Sequence, residues 1–160
     1  MAAQVTASVA TLAAVVCGAV IFRPRLRRFF RKLKGSPRRI LFVCGHNAGR
    51  SIAAEAIARK LRPDLTVASC GTVPSGKLNP VMKAALEERG YSVEGLASKG
   101  PDAVGGYEAW DLRVTMGCMD GQCPWVPGLK VVDWGLPDPA KDSSVVPEVI
   151  SQVEKLVREL

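Results

Sequence analysis

The 160-residue sequence predicts an α/β fold: a three-layer sandwich around a four-stranded parallel sheet. Short apolar runs alternate with helical patterns, which is the order of a parallel sheet with crossover helices. Residues 40–43 form the first apolar run and lead into a loop of small residues and an Ala-rich helix. This strand–loop–helix unit indicates a ligand site, because such sheets bind ligands beyond the carboxyl ends of their strands.

The remaining elements are predicted from their apolar patterns and end signals. Strands are expected at residues 40–43, 65–69, 112–116 and 129–132, and helices at 51–61, 80–89 and 147–160. Asn79 and Pro80 open the second helix and Gly90 closes it, while Pro147 opens the last helix. The last helix is apolar on one side, at Val149, Ile150, Val153, Leu156 and Val157.

The first 38 residues are predicted to be separate from a domain spanning residues 39–160. Residues 5–22 carry no charge, and as a helix they would span ~27 Å, slightly less than a ~30 Å hydrocarbon core. The basic run that follows predicts a membrane anchor through residues 5–34, with the catalytic domain on the cytosolic side. The alternative is an organelle-targeting peptide on a soluble protein, since the first acidic residue is Glu55.

The charge distribution excludes nucleic acid as a partner. Of the 22 Lys and Arg residues, nine lie between Arg23 and Arg39, and all 15 acidic residues lie beyond them. The domain itself is therefore close to neutral and has no basic face. Its five cysteines show no framework spacing, which favours a reducing compartment, and a single histidine disfavours a zinc site.

The segment after the first strand has the composition of a thiolate–oxyanion site. Cys44 ends the strand, and backbone N–H groups of the loop and helix start favour an anion. Arg50 adds a planar fork of donors, and the same positive field favours the thiolate form of Cys44. His46 is expected to be an exposed loop residue and not a base. The oxyanion-binding residues are expected to be Gly45, His46, Asn47, Ala48, Gly49, Arg50 and Ser51.

Three segments resemble one family. The spacing of Cys44, Asn47, Arg50 and Ser51 resembles the phosphate-binding loop of low-molecular-weight protein tyrosine phosphatases and of the arsenate reductases that share their fold. Residues 115–118 with Cys123, and residues 133–140, resemble the arsenate reductase branch, of the thioredoxin or mycothiol type. The resemblance extends from about residue 39 to the C-terminus.

The resemblance implies reduction of arsenate to arsenite and a role for each of five residues. Cys44 is the nucleophile, Arg50 binds the oxyanion, and Asp138 protonates the leaving oxygen, with Asp133 as its rival. Cys118 attacks the arsenic-bearing sulfur, and Cys123 passes the disulfide on to an external reductant. That reductant would be a thioredoxin-like or mycoredoxin-like protein or a small thiol, and no tightly bound cofactor is implied.

Departures from the family pattern bear on the substrate. Phosphatases of this fold carry a cysteine where Gly49 stands and an aromatic residue where Ala140 stands, so phosphotyrosine is disfavoured. A tyrosine phosphatase remains the first alternative and a non-catalytic, membrane-tethered oxyanion-binding protein the second. No metal site is expected, although the resemblance offers weak potassium candidates at Asn47, Glu55, Ser69 and Asp111.

Overall fold

The computed structural model describes residues 38–118, 123 and 126–160. The four strands are β1 (Arg39–Cys44), β2 (Thr66–Gly71), β3 (Leu112–Thr115) and β4 (Lys130–Asp133). The α-helices are α1 (Arg50–Leu61), α2 (Pro80–Glu88) and α3 (Val146–Glu159), and two short 3-10 helices lie at Pro101–Val104 and Ser143–Val145.

The four strands form one parallel sheet, as predicted, and their order in it is β2-β1-β3-β4. Since β2 and β3 lie on opposite sides of β1, the strand order reverses at β1, and a crevice opens beyond its carboxyl end. The second strand extends two residues further than predicted, because its pairing with β1 continues to Cys44 and Gly71. The carboxyl ends of the four strands therefore lie at the same edge of the sheet as the loop that follows Cys44.

The three α-helices share one core with alternate residues of β1. Ile40, Phe42 and Cys44 face this core, which is closed by Ala-rich α1 and by the apolar side of α3. The small side chains of α1 allow close packing on both sides, and nine of its residues are buried. The predicted apolar side of α3 is largely confirmed: Val146, Val149, Ile150, Val153 and Val157 are buried.

The other face of β1 carries a second, smaller core. Leu41 and Val43 pack there with Cys70, Tyr107 and Trp110. The described residues covering this face come from loops and the 3-10 helix at Pro101–Val104. The three-layer prediction thus holds for the sheet and the helical layer, but the described part of the opposite layer contains no α-helix.

The predicted anchor at residues 5–34 lies outside the described residues, as does all of the predicted N-terminal segment 1–38 except its last residue. Within the ranges that the structure describes, no helix has both the length and the apolar character needed to cross a membrane.

Candidate active site

The loop at residues 45–49 is held by backbone hydrogen bonds on its outer side. The carbonyl groups of Gly45 and His46 accept from the N–H groups of Val73 and Ser75, at 2.8 and 3.0 Å, and Ala48 accepts from the start of α2 at 2.8 Å. These carbonyl oxygens are therefore engaged by the segment that follows β2. Their engagement leaves a loop suited to binding an anion at the N-terminus of α1.

Asn47 fixes the shape of this loop. Among the described residues it is the one non-glycine with a positive φ, 47°, a conformation that Asn adopts more readily than most residues. Its buried side-chain amide donates to Ser51 Oγ and Ser69 Oγ, both at 2.8 Å, and its oxygen accepts from the Lys99 N–H at 2.9 Å. The side chain thus ties the loop to α1, β2 and the segment before the 3-10 helix at Pro101–Val104.

Cys44 is a free, buried thiol at the base of the loop. Its Sγ lies 3.0 Å from Ser51 Oγ, within hydrogen-bonding distance for sulfur. Ser51 lies inside the first turn of α1 and the helix cap is Gly49, so the Ser51 hydroxyl is aimed at the sulfur and does not cap the helix. A hydroxyl in this position stabilises a thiolate by donating to it.

Arg50 and Asp138 form an ion pair beside the loop. Arg50 Nη2 lies 3.3 Å from Asp138 Oδ2, and Arg50 Nη1 donates to the Leu136 carbonyl at 3.4 Å. Leu136 is buried in the first core, which fixes the segment carrying the acid. The structure therefore brings together Cys44, Arg50, Ser51 and Asp138, which come from two ends of the domain.

The buried carboxylate of Glu55 supports the loop through its hydrogen bond with Ser69. Glu55, only 1% exposed, accepts from Ser69 Oγ at 2.6 Å and pairs with Arg59 at 2.6 Å and with Lys99 Nζ at 3.6 Å. Two protein cations thus compensate its charge, as a buried carboxylate requires.

The potassium hypothesis does not fit this arrangement. Asn47, Glu55 and Ser69 do lie together, but their oxygens are already engaged by the groups described above. Asp111 lies at the opposite end of the sheet, where it accepts from the N–H groups of Arg38 and Arg39, both at 2.9 Å, and these bonds lower its pKa. Asp111 directly precedes β3, whereas Cys44 is the last residue of β1, so the two lie at opposite ends of the parallel sheet.

Cys118 and Cys123 are joined in a disulfide. Both are half-buried against the second core, formed by Leu41 and Val43, whereas Cys44 faces the first core. Gly117 precedes the pair with a φ of 67° and lies against Arg50, so that an added Cβ would meet Nη1 at 2.6 Å. The segment with the disulfide therefore begins beside Arg50 and the loop at residues 45–49. Its cysteines pack against the second core, whereas Cys44 lies in the first.

The other candidate residues have structural surroundings. His46 is exposed, as expected for a loop residue. Asp133 ends β4 and accepts from Thr115 Oγ1 at 2.9 Å, so it joins two strands and does not face Arg50 as Asp138 does. Cys70 is buried, and this burial, with Cys44 nearby, raises the pKa of its thiol to about 12, which keeps it protonated and unreactive.

Sequence reasoning missed Lys99 and Gly117. Lys99 contacts Asn47 through its backbone and Glu55 through its ammonium group, yet it lies 52 residues from Asn47 and belongs to no motif. Gly117 offered one signal, a glycine directly before a cysteine at a strand end, where a positive φ is common.

Comparison with known proteins places these elements in a family. Residues 39–160 match the model of low-molecular-weight phosphotyrosine protein phosphatases. A glutaredoxin arsenate reductase of Synechocystis sp. is 33% identical over 77% of this chain and 95% of its own length. A thioredoxin-dependent arsenate reductase of Corynebacterium glutamicum is 31% identical, with a TM-score of 0.61 over 80% of this chain.

The match to the Corynebacterium protein covers 62% of that protein's length. An arsenate reductase solved in a phosphate-binding state is 29% identical, with a TM-score of 0.67 over 76% of this chain and 95% of its own. The loop, the acid segment and the sheet order all lie within residues 39–160. The chain therefore belongs to the low-molecular-weight phosphotyrosine protein phosphatase family.

Proposed function

We propose that the protein is an arsenate reductase that binds arsenate in the loop at residues 45–51. The observation that carries the proposal is the pairing of two features in one domain. One is a free thiol, Cys44, in an anion-binding loop. The other is a pair of further cysteines, Cys118 and Cys123, that form a disulfide. Hydrolysis needs the first feature alone, whereas the second feature lets the electrons for reduction come from within the chain. The similarity to named arsenate reductases supports this choice.

In the first step, the Cys44 thiolate attacks arsenic and a sulfur–arsenic bond forms. Arg50 binds the oxyanion and stabilises the charge that develops on it. Asp138 protonates the departing oxygen, which leaves as water. A bound oxyanion shares the Arg50 guanidinium with the Asp138 carboxylate, since the guanidinium carries five N–H donors.

In the second step, arsenic gains two electrons. The Cys118 thiolate attacks the Cys44 sulfur, a disulfide forms, and the electron pair of the sulfur–arsenic bond leaves with arsenite. Cys123 then attacks Cys118, which releases Cys44 as a thiolate and leaves the Cys118–Cys123 disulfide. The disulfide in the structure corresponds to this last state. Because its sulfurs pack on the face opposite Cys44, the reduced segment must turn about Gly117 to reach Cys44.

An external thiol closes the cycle by reducing Cys118–Cys123. The disulfide is half-buried, so a reductant can approach it from solvent. The names of two relatives carry two such reductants, glutaredoxin and thioredoxin. We propose a reductant of this class, or a small thiol, for this chain.

A tyrosine phosphatase is the second candidate, and the Cys44–Arg50–Asp138 grouping favours it. These three residues suffice to hydrolyse a phosphate ester through a covalent intermediate. Ala140, however, is exposed at the position where phosphatases carry an aromatic residue, so it offers no platform for a phenyl ring.

The two candidates are separated by assaying the full chain with arsenate and a dithiol, and separately with an aryl phosphate. An arsenate reductase produces arsenite, and Cys44→Ser abolishes this activity, whereas Cys70→Ala, at a buried cysteine on the opposite face of the sheet, retains it. Asp138→Asn should slow arsenite formation, and Asp133→Asn, its matched control, should not. Turnover of aryl phosphate without any arsenite would overturn the proposal in favour of the phosphatase.

A further inference from the structure

Pro139 lies directly on the oxyanion loop at Gly49. A Cβ added at Gly49 would be 3.1 Å from Pro139 Cγ, closer than most such contacts. The φ of Gly49 is −130°, outside the left-handed region that favours glycine, and the space beside it is tight. Pro139 is buried in this position. The missing side chain at residue 49 thus lets the acid segment pack against the loop.

This packing determines where Asp138 lies. Asp138 directly precedes Pro139, and its carboxylate reaches Arg50 at 3.3 Å. The Leu136 carbonyl binds the same guanidinium at 3.4 Å. The segment at residues 136–139 therefore contacts Arg50 through Leu136 and Asp138, and Gly49 through Pro139.

The position of residues 136–139 limits the size of the group that the leaving oxygen can carry. A general acid must lie beside the oxygen that departs. In an ester, that oxygen carries the organic group, which must then pass Asp138 and Pro139. In arsenate or inorganic phosphate, the same oxygen carries at most a proton and needs no room.

We propose that Gly49 is a specificity-determining residue, because it lets Pro139 close the acid segment over the loop and so admits a bare tetrahedral oxyanion and excludes an ester. The inference rests on the proposed function and adds a residue to it. It predicts that a side chain at residue 49 lifts Pro139, loosens the Arg50–Asp138 pair and makes room for an organic group.

The test measures binding, so that it is independent of turnover. Dissociation constants of inorganic phosphate and phenylphosphonate are measured by calorimetry for the full chain and for Gly49→Ala, Pro139→Ala and the double variant. We expect the wild type to prefer phosphate, and Gly49→Ala to shift the ratio about tenfold towards phenylphosphonate, on the order of an overpacking cost. In the Pro139→Ala background, where the contacting Cγ is absent, the same change should shift the ratio less than about twofold.

Gly100→Ala is the matched control. Its φ is also negative, −85°, and its added Cβ would meet Pro74 at an ordinary 3.8 Å. We expect its binding ratio to equal that of the wild type. A general loss of structure in Gly49→Ala would weaken both ligands in parallel and leave the ratio unchanged.

An unchanged ratio in a Gly49→Ala protein whose circular-dichroism spectrum equals that of the wild type would overturn the inference, and so would an equal shift in the presence and absence of Pro139. A wild type that binds phenylphosphonate as tightly as phosphate would also overturn it. Failure of the proposed function is recognised separately, as the absence of arsenite formation by the wild type.

Discussion

At the scale of single residues, the Arg50–Asp138 ion pair links anion binding to acid catalysis. Asp138 is about a quarter exposed and holds Arg50 at 3.3 Å, where an oxyanion must also bind. The carboxylate therefore competes with the substrate for the guanidinium in the resting protein. In the proposed mechanism, the same carboxyl group acts as the acid once the substrate is bound.

Asp138→Asn should separate these two effects. Removing the negative charge should tighten inorganic phosphate binding several-fold, while arsenate turnover falls by about 10²–10⁴-fold, the usual contribution of a general acid. Calorimetry and arsenite formation measure the two quantities, and Asp133→Asn should change neither. A variant that weakens binding and retains turnover would show that Asp138 is not the acid.

Asn47 combines two properties that substitution can separate. Asn47→Gly keeps access to a positive φ but loses three hydrogen bonds, whereas Asn47→Ala loses both. We expect both variants to weaken phosphate binding by about tenfold or more, with Asn47→Ala the weaker binder. Equal dissociation constants for the two variants would show that the backbone conformation at residue 47 contributes nothing to binding.

At the scale of elements, α2 supports the oxyanion loop through its first turn. Asn79 caps α2 by accepting from the Met82 N–H at 3.0 Å, and its own N–H donates to the Ala48 carbonyl at 2.8 Å. The cap thus positions the helix and the backbone of the loop together.

Asn79→Ala should lower the free energy of unfolding by about 1 kcal/mol, the usual cost of losing such a cap. Asn79→Asp, which replaces the amide oxygen with a carboxylate oxygen that also accepts, is the matched control and should remain near the wild-type value. Chemical denaturation measures both. Equal stability of the alanine variant and the wild type would mean that the cap bond contributes nothing.

Elements and their order could be predicted from the sequence because both depend on local patterns. Apolar runs marked the four strands, and Asn79 with Pro80 marked the start of α2, which the structure confirms. The loop at Cys44 was recognisable because its residues are contiguous. Element ends were less accurate: β2 extends to Gly71 because of its partner strand, which no local pattern encodes.

Contacts across the sheet could not be predicted. Lys99 at Glu55, Gly117 at Arg50 and the location of Asp111 at the far end of β1 all depend on how distant segments pack. The side of the sheet taken by Cys118 is of the same kind, since it follows a turn at Gly117. The separation of Asp111 from Asn47, Glu55 and Ser69, the other potassium candidates, follows from packing of this kind.

At the scale of the whole molecule, the two cores separate Cys44, the proposed nucleophile, from Cys70, a buried and protonated thiol. Cys44 faces the helical core and ends at the loop, while Cys70 lies in the second core. Burial is the main cause that raises the pKa of the Cys70 thiol to about 12 from 9.0. Cys70 is therefore stabilised in its neutral form in the folded state.

This difference predicts a pH dependence of stability. Below pH 9 the Cys70 thiol is protonated in both states, so its contribution to folding is intact. Between pH 9 and 12 the unfolded chain loses this proton and the folded chain keeps it, so the free energy of unfolding falls as the pH rises.

Cys70→Ala should make this fall shallower by up to about 1.4 kcal/mol per pH unit. Chemical denaturation of both proteins at several pH values between 8 and 11, with a reductant present, provides the comparison. Tyr91, whose pKa is raised mainly by burial and by its hydrogen bond to Glu154, remains in both proteins and cancels. Parallel curves for the two proteins would refute the assignment.

The central claim is that Cys44, Cys118 and Cys123 together transfer two electrons to arsenate. The most direct measurement is a single turnover: fully reduced protein, freed of reductant, is mixed with arsenate, and both arsenite and disulfides are quantified. We predict about one arsenite per chain with a Cys118–Cys123 disulfide, and a trapped Cys44–Cys118 disulfide in Cys123→Ser. Arsenite formation that persists in Cys118→Ser without added thiol, or no arsenite from the wild type, would contradict the account.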